Sequence, residues 1–98
     1  MVEVRWTPRA LDDLEAIAEF IAIDSPHFAQ LFATDVFAAA ERLAYFPASG
    51  GVVPETDDPA VREIVFGSYR IVYRCAEERV DIVLVHHGAR LLDPTKFN

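Results

Sequence analysis

A single cysteine, Cys75, occurs in the 98 residues, so no disulfide can form within the chain. Nor does any apolar run approach the roughly 18 to 20 residues that span a bilayer. Positive charge is scarce: nine lysines and arginines face sixteen acids, a net charge of −7. That balance argues against a broad basic face for nucleic acid, because such binding is driven by cation contacts to phosphates. The chain carries neither a glycine-rich phosphate loop nor a nucleophile elbow. Ser25 has the place of a helix cap, Ser49 falls in a loop and Ser68 in a turn, so a Ser-His-Asp hydrolase has no support. Glu3 and Arg5 stand where a signal segment would be apolar, so export is not expected and the cytoplasm is the expected location.

What is present is apolar. A hydrophobic content of 52% excludes disorder and exceeds what one small core easily hides, so covered surface on a partner is expected. Residues 1–98 read as one domain. Charge is unevenly placed: residues 1–60 hold eleven acids against Arg5, Arg9 and Arg42, for −8, whereas residues 61–98 sum to +1. A local positive site in the second half is compatible with the acidic total.

Val2 to Trp6 alternates like a half-buried strand, and Thr7-Pro8 supplies a helix cap followed by proline at the first helical position. Leu11, Leu14, Ile17, Ala18 and Ile21 form the expected buried stripe of the first helix. Asp24-Ser25-Pro26 repeats the cap signal for a second helix, with a stripe through Phe28, Phe32, Val36, Ala39, Leu43 and Phe46 and a stop at Pro47. Ala48 to Pro59 reads as a loop. Val61–Phe66, Tyr69–Cys75 and Val80–His86 read as a three-stranded meander. The order β-α-α-β-β-β predicts an α+β fold, a helical hairpin packed on one face of a small antiparallel-rich sheet, with the first strand paired into that sheet.

Alternation places Tyr69, Ile71, Tyr73 and Cys75 on the helix-packed face, and Arg70, Val72 and Arg74 on the open one, with Arg62 or Glu63 of the preceding strand beside them. By residue type alone, these arginines are either an anion-recognising cluster or strand-surface groups paired with Glu63. His86 and His87 point to opposite faces and cannot easily share a metal, so neither a metal site nor a cofactor is expected.

Taken together, Trp6-Thr7-Pro8-Arg9-Ala10-Leu11-Asp12-Asp13-Leu14, Pro54-Glu55, Arg62-Glu63, Gly67-Ser68-Tyr69-Arg70-Ile71-Val72-Tyr73-Arg74 and Val85-His86-His87-Gly88-Ala89-Arg90 resemble the RelE/ParE superfamily of bacterial toxins over nearly the full chain. The resemblance implies the toxin of a type II toxin-antitoxin system, held inactive by a cognate ParD-like antitoxin. A RelE-like member implies a ribosome-dependent messenger endoribonuclease, for which Arg70 and Arg90 match the basic positions. Here Glu63 follows Arg62 where those enzymes carry lysines, and the C-terminus offers Lys96-Phe97 without a tyrosine. These departures point to the ParE branch, whose members bind and poison DNA gyrase, an inhibition that needs no catalytic residue. On that reading Arg62, Arg70, Arg74 and Arg90 are the target-binding candidates. Phe20, Leu31 and Phe37, off their helices' stripes, are the antitoxin-binding candidates, or they pack between the helices or at the sheet edge.

Overall fold

The structure, a computed structural model, describes residues 1–88. Strand β1 (Glu3–Trp6) leads into α1 (Pro8–Asp24) and α2 (Pro26–Glu41), and a 3-10 turn (Arg42–Ala44) closes the helical part. β2 (Gly51–Val52), β3 (Val61–Phe66), β4 (Tyr69–Cys75) and β5 (Arg79–His87) follow. The sheet order is β1-β5-β4-β3-β2, with β1 parallel to β5 and every other pair antiparallel. The fold is therefore the expected α+β order, with one addition: the loop before the meander contributes the two-residue edge strand β2. No helix among the described residues is long and apolar enough to cross a membrane.

Both helices start as the caps predict. The Thr7 side chain accepts from Ala10 N at 3.2 Å, and the Ser25 hydroxyl accepts from Phe28 N at 3.1 Å, each with proline next in the chain. Thr7 also donates its hydroxyl to Val83 O at 3.1 Å, and Asp13 accepts from Val85 N at 3.1 Å. β1 ends opposite Ile82, so these two side chains take up β5 backbone groups beyond the reach of the parallel ladder. That fixes α1 against the sheet.

The helix stripes keep Leu14, Ile17, Phe32, Val36 and Leu43 of the expected ones and differ at their margins. Ala10 and Leu14 are buried on α1 while Leu11 is exposed; Ala29, Val36 and Ala40 are buried on α2, Leu43 on the 3-10 turn, and Phe28 and Phe46 are exposed. α1 packs on β5 and α2 on α1, with small side chains on the contact lines where backbones approach closely, while Phe28 and Phe46 are turned outward. The main core combines Ala10, Leu14, Val36, Ala40 and Leu43 with Ile71, Tyr73, Val80, Ile82 and Val85 of the sheet.

A second, smaller cluster lies elsewhere in the sheet, formed by Val53, Val61, Val72 and Leu84 with Val83 against it. A β-bulge produces it. Val72 pairs with Leu84 and Tyr73 with Ile82, leaving Val83 as the extra residue, so Ile82 and Leu84 join different clusters. Val53 closes this cluster from the crossover that joins β2 to β3 and is itself fully buried. The face expected to be open is thus partly covered.

Candidate functional site

The Gly67-Ser68 turn joins β3 to β4 as a two-residue hairpin. Gly67 has φ +58°, while no other residue type has positive φ among those described, the pattern of a type II′ turn with glycine first. Gly88 N donates to Ser68 O at 2.7 Å, tying the end of β5 to that turn. A Cβ at Gly88 would stand 3.1 Å from the same carbonyl, so glycine permits the approach. The two segments singled out in the sequence, Gly67-Ser68-Tyr69-Arg70 and His87-Gly88, therefore form one structural unit.

This unit borders a cleft of about 690 Å³ that Pro54, Glu55, Glu63, Val65 and Arg70 also line. Arg70 is only 9% exposed. Its guanidinium donates from Nη1 to Glu55 Oε2 at 2.7 Å and from Nη2 to Glu55 Oε1 at 2.8 Å, a bidentate pair. Glu63 takes the remaining side of the fork, accepting from Nε and, at 3.1 Å, from Nη2. All three guanidinium nitrogens are engaged. The Glu55 carboxylate first, and Glu63 second, hold the Arg70 proton more tightly than in a free arginine, against a smaller opposing effect of burial.

Arg74, four residues along the same strand, donates to Asp58 Oδ2 at 2.9 Å. Asp58 also accepts from Ala60 N at 2.9 Å, and that backbone hydrogen bond, followed by the one from Arg74, lowers its pKa. Arg62 turns back to the chain preceding β2 and donates to Gly50 O at 2.7 Å. Arg62, Arg70 and Arg74 are thus each bonded to another part of the chain, and they do not share a face: Arg62 is the register partner of Tyr73 and stands on the helix-packed side, while Glu63 stands with Arg70 and Arg74. Arg90, the fourth candidate, lies outside the described residues, as does the Leu91 to Asn98 tail.

The expected pairing of Arg70 with Glu63 is present, but as a largely buried triad and not as an exposed ion pair. Sequence reading missed Glu55 as its main partner. Pro54-Glu55 was visible as a motif, but no local pattern links a loop carboxylate to a strand arginine fifteen residues later. Tyr73 lies in the core as expected, and its hydroxyl accepts from Gly50 N at 2.9 Å, with burial as the main cause of a raised pKa. The neighbouring Cys75 thiol is likewise pushed up by burial.

His87 sets its ring 5.5 Å from that of Tyr69, and Tyr69 also meets Phe32 at 5.2 Å. His86 is instead the register partner of Arg70, so the vicinal histidines do divide between the faces. Of the outward apolar candidates, Phe20 is 71% exposed, and Leu31 and Phe37 are also exposed. Phe37 packs against Trp6 of the edge strand, ring centroids 4.7 Å apart, which is the sheet-edge alternative. Phe20 lines a second cleft, with Ala16, Ile17, Val85 and the histidines.

A family model described as the ParE toxin of a type II toxin-antitoxin system, parDE, matches residues 4–92. Toxin RelE2 of Caulobacter vibrioides is 41% identical over 92 residues, 93% of this chain and 100% of that protein. Putative toxin Y4kP of Sinorhizobium fredii is 35% identical over 87 residues, covering 87% of this chain and 86% of its own. Among solved structures, a chain of the chromosomal ParDE system of P. aeruginosa aligns with a TM-score of 0.73 at 21% identity, covering 89% of this chain and 96% of that one. A chain of the RelBE2 toxin-antitoxin complex of Mycobacterium tuberculosis aligns at 0.59 and 23%, covering 88% and 96%. At these identities the two structures speak to the fold, which is the same helical hairpin on a sheet.

Proposed function

Because the chain belongs to the ParE toxin family of type II toxin-antitoxin systems, we propose that it arrests growth by binding and poisoning DNA gyrase, and that a ParD-like antitoxin neutralises it. The observation that carries the choice of target is the ion pairing of the sheet arginines. An endoribonuclease needs cations aimed at the charge developing on the scissile phosphate and a group to move the 2′-hydroxyl proton. Here Arg70 is enclosed by two carboxylates and Arg74 is bonded to a third. Residues 74–98 include no tyrosine to serve as a base. A stoichiometric inhibitor needs neither.

The target-binding face, on this reading, is the cleft lined by Pro54, Glu55 and the Gly67–Arg70 turn, extended along the same face of the sheet by Arg74; Arg90 is a further candidate outside the described residues, and Arg62, on the helix-packed face beside Tyr73, is left out of it. The antitoxin covers the outward side of the helical hairpin. Phe20 and Leu31 are its exposed apolar anchors there, and Phe37 flanks them through its contact with Trp6. Purified protein is expected to inhibit supercoiling and to accumulate gyrase-cleaved DNA. Cleavage of ribosome-bound message without any effect on gyrase overturns the assignment.

A further inference from the structure

We propose that Glu55 and Glu63 are positioning residues of the target-binding face, and that Arg70 acts there as the latch joining them and not as a group that contacts the target. The inference rests on the target-inhibiting reading and assigns roles to two carboxylates that the family motif leaves without one.

The geometry is specific. Glu55 belongs to the crossover between β2 and β3, Glu63 to β3 and Arg70 to β4, so one guanidinium joins three segments that are separate in sequence. The segment from Val53 to Ala60 is tied at both ends, and Glu55 carries a side-chain link to β4. Val53 N donates to Val61 O at 3.1 Å and Thr56 N to Val53 O at 3.1 Å, which fix its base, while Asp58 and Arg74 fix its far end. Pro54 and Glu55 line the same cleft as Gly67, Ser68, Arg70 and Gly88. The Glu55–Arg70 fork is the side-chain link that holds Glu55 to the β4 side of that cleft.

A guanidinium presents donors in one plane and can hold two carboxylates at once, whereas a lysine ammonium is a point charge without that fork. With all three nitrogens of Arg70 donating to carboxylates and the side chain nearly enclosed, little of its donor capacity faces outward.

The two roles give opposite signs in one experiment. If Arg70 contacted an anionic group on the target, Glu55→Gln or Glu63→Gln would lift its neutralisation and inhibition would strengthen. If Arg70 is a latch, the same isosteric changes loosen it and inhibition weakens. Each variant of the full chain is compared with the unchanged protein for the concentration that gives half-maximal trapping of gyrase-cleaved DNA at 20 °C. Capture by the antitoxin, whose proposed anchors Phe20 and Leu31 belong to α1 and α2 and not to the elements that carry the triad, serves as the control for folding.

For Glu55→Gln and for Arg70→Lys the expected result is a rise of roughly tenfold in that concentration, the scale of one charged hydrogen bond, with antitoxin capture retained. Their combination is expected to be no worse than the weaker single variant, since both break the same connection. Equal or stronger trapping by Glu55→Gln overturns the inference, and so does full activity of Arg70→Lys. If the unchanged protein traps no gyrase-cleaved DNA, the gyrase reading fails by itself. The latch is then judged by growth arrest in cells, where Glu55→Gln arresting as strongly as the unchanged protein overturns it.

Discussion

Replacing Arg70 with methionine would keep most of the buried aliphatic volume and remove the charge, leaving Glu55 and Glu63 facing each other at a site where each side chain is only 14% exposed. Removing one partner of a buried ion pair costs about 3–5 kcal/mol, because the remaining charge stays desolvated. Against a typical domain stability of about 5–15 kcal/mol this is a large fraction. At about 4–8 °C per kcal/mol for a chain of this length, the melting temperature should fall by at least about 12 °C. The deficit should also depend on pH in a defined direction. In the variant, burial and mutual repulsion raise the folded-state pKa of at least one carboxyl above its unfolded value. The folded state then binds more protons than the unfolded one, so stability rises as pH falls and the gap to the unchanged protein narrows between pH 7.5 and 4.5. The triple variant Arg70→Met, Glu55→Gln, Glu63→Gln, which removes every charge together, should recover much of the loss. Thermal and urea unfolding followed by circular dichroism at the two pH values measure these effects. A single variant within about 0.5 kcal/mol of the unchanged protein, the range of ordinary surface substitutions, would refute the claim that the triad holds the crossover to the sheet.

Gly50→Ala would set a Cβ 2.6 Å from the Tyr73 hydroxyl and closer still to the Glu63 carbonyl, and should cost about 1–3 kcal/mol or more from overpacking. Tyr73→Phe should not rescue it, because the backbone clash remains, and alone should cost about 1–3 kcal/mol by leaving Gly50 N without its acceptor; chemical denaturation of the two singles and the double decides the matter. Asp58, whose pKa is lowered from its ordinary 3.8 in the fold, contributes stability above that value and loses it as pH falls below it. The difference in urea midpoint between the unchanged protein and Asp58→Ala should therefore be present at pH 6 and close on acidification below about pH 3.8, and a gap that widens in acid contradicts the assignment. Phe20→Asp combined with Leu31→Asp should abolish antitoxin capture in a pull-down with little change in melting temperature, since both residues are exposed; undiminished capture rules out that surface.

Much of the architecture was legible in the chain because it depends on local chemistry. Thr7-Pro8 and Ser25-Pro26 begin helices wherever they precede an apolar periodic run, since the cap oxygen and the fixed proline φ act within one turn. Gly67-Ser68 forces a hairpin, and with the hairpin come the register of β3 against β4 and the separation of Tyr73 from Arg70. The signature segments were visible for the same reason: each is a run of consecutive residues.

The rest was decided by contacts between distant segments. Strict alternation puts Ile82 and Leu84 on one face, but the bulge at Val83 divides them, builds the second cluster with Val53 and sets His86 opposite Arg70. The margins of each helix's buried face turned on how α1 packs on β5 and α2 on α1, a matter of steric fit at Ala10, Ala29 and Ala40 that periodicity alone does not settle. The sequence by itself determined that an arginine stands on β4 beside a glutamate on β3. Only the tertiary structure brought Glu55 across the sheet to close the fork, because an ion pair between segments is set by where the crossover packs and not by any spacing along the chain.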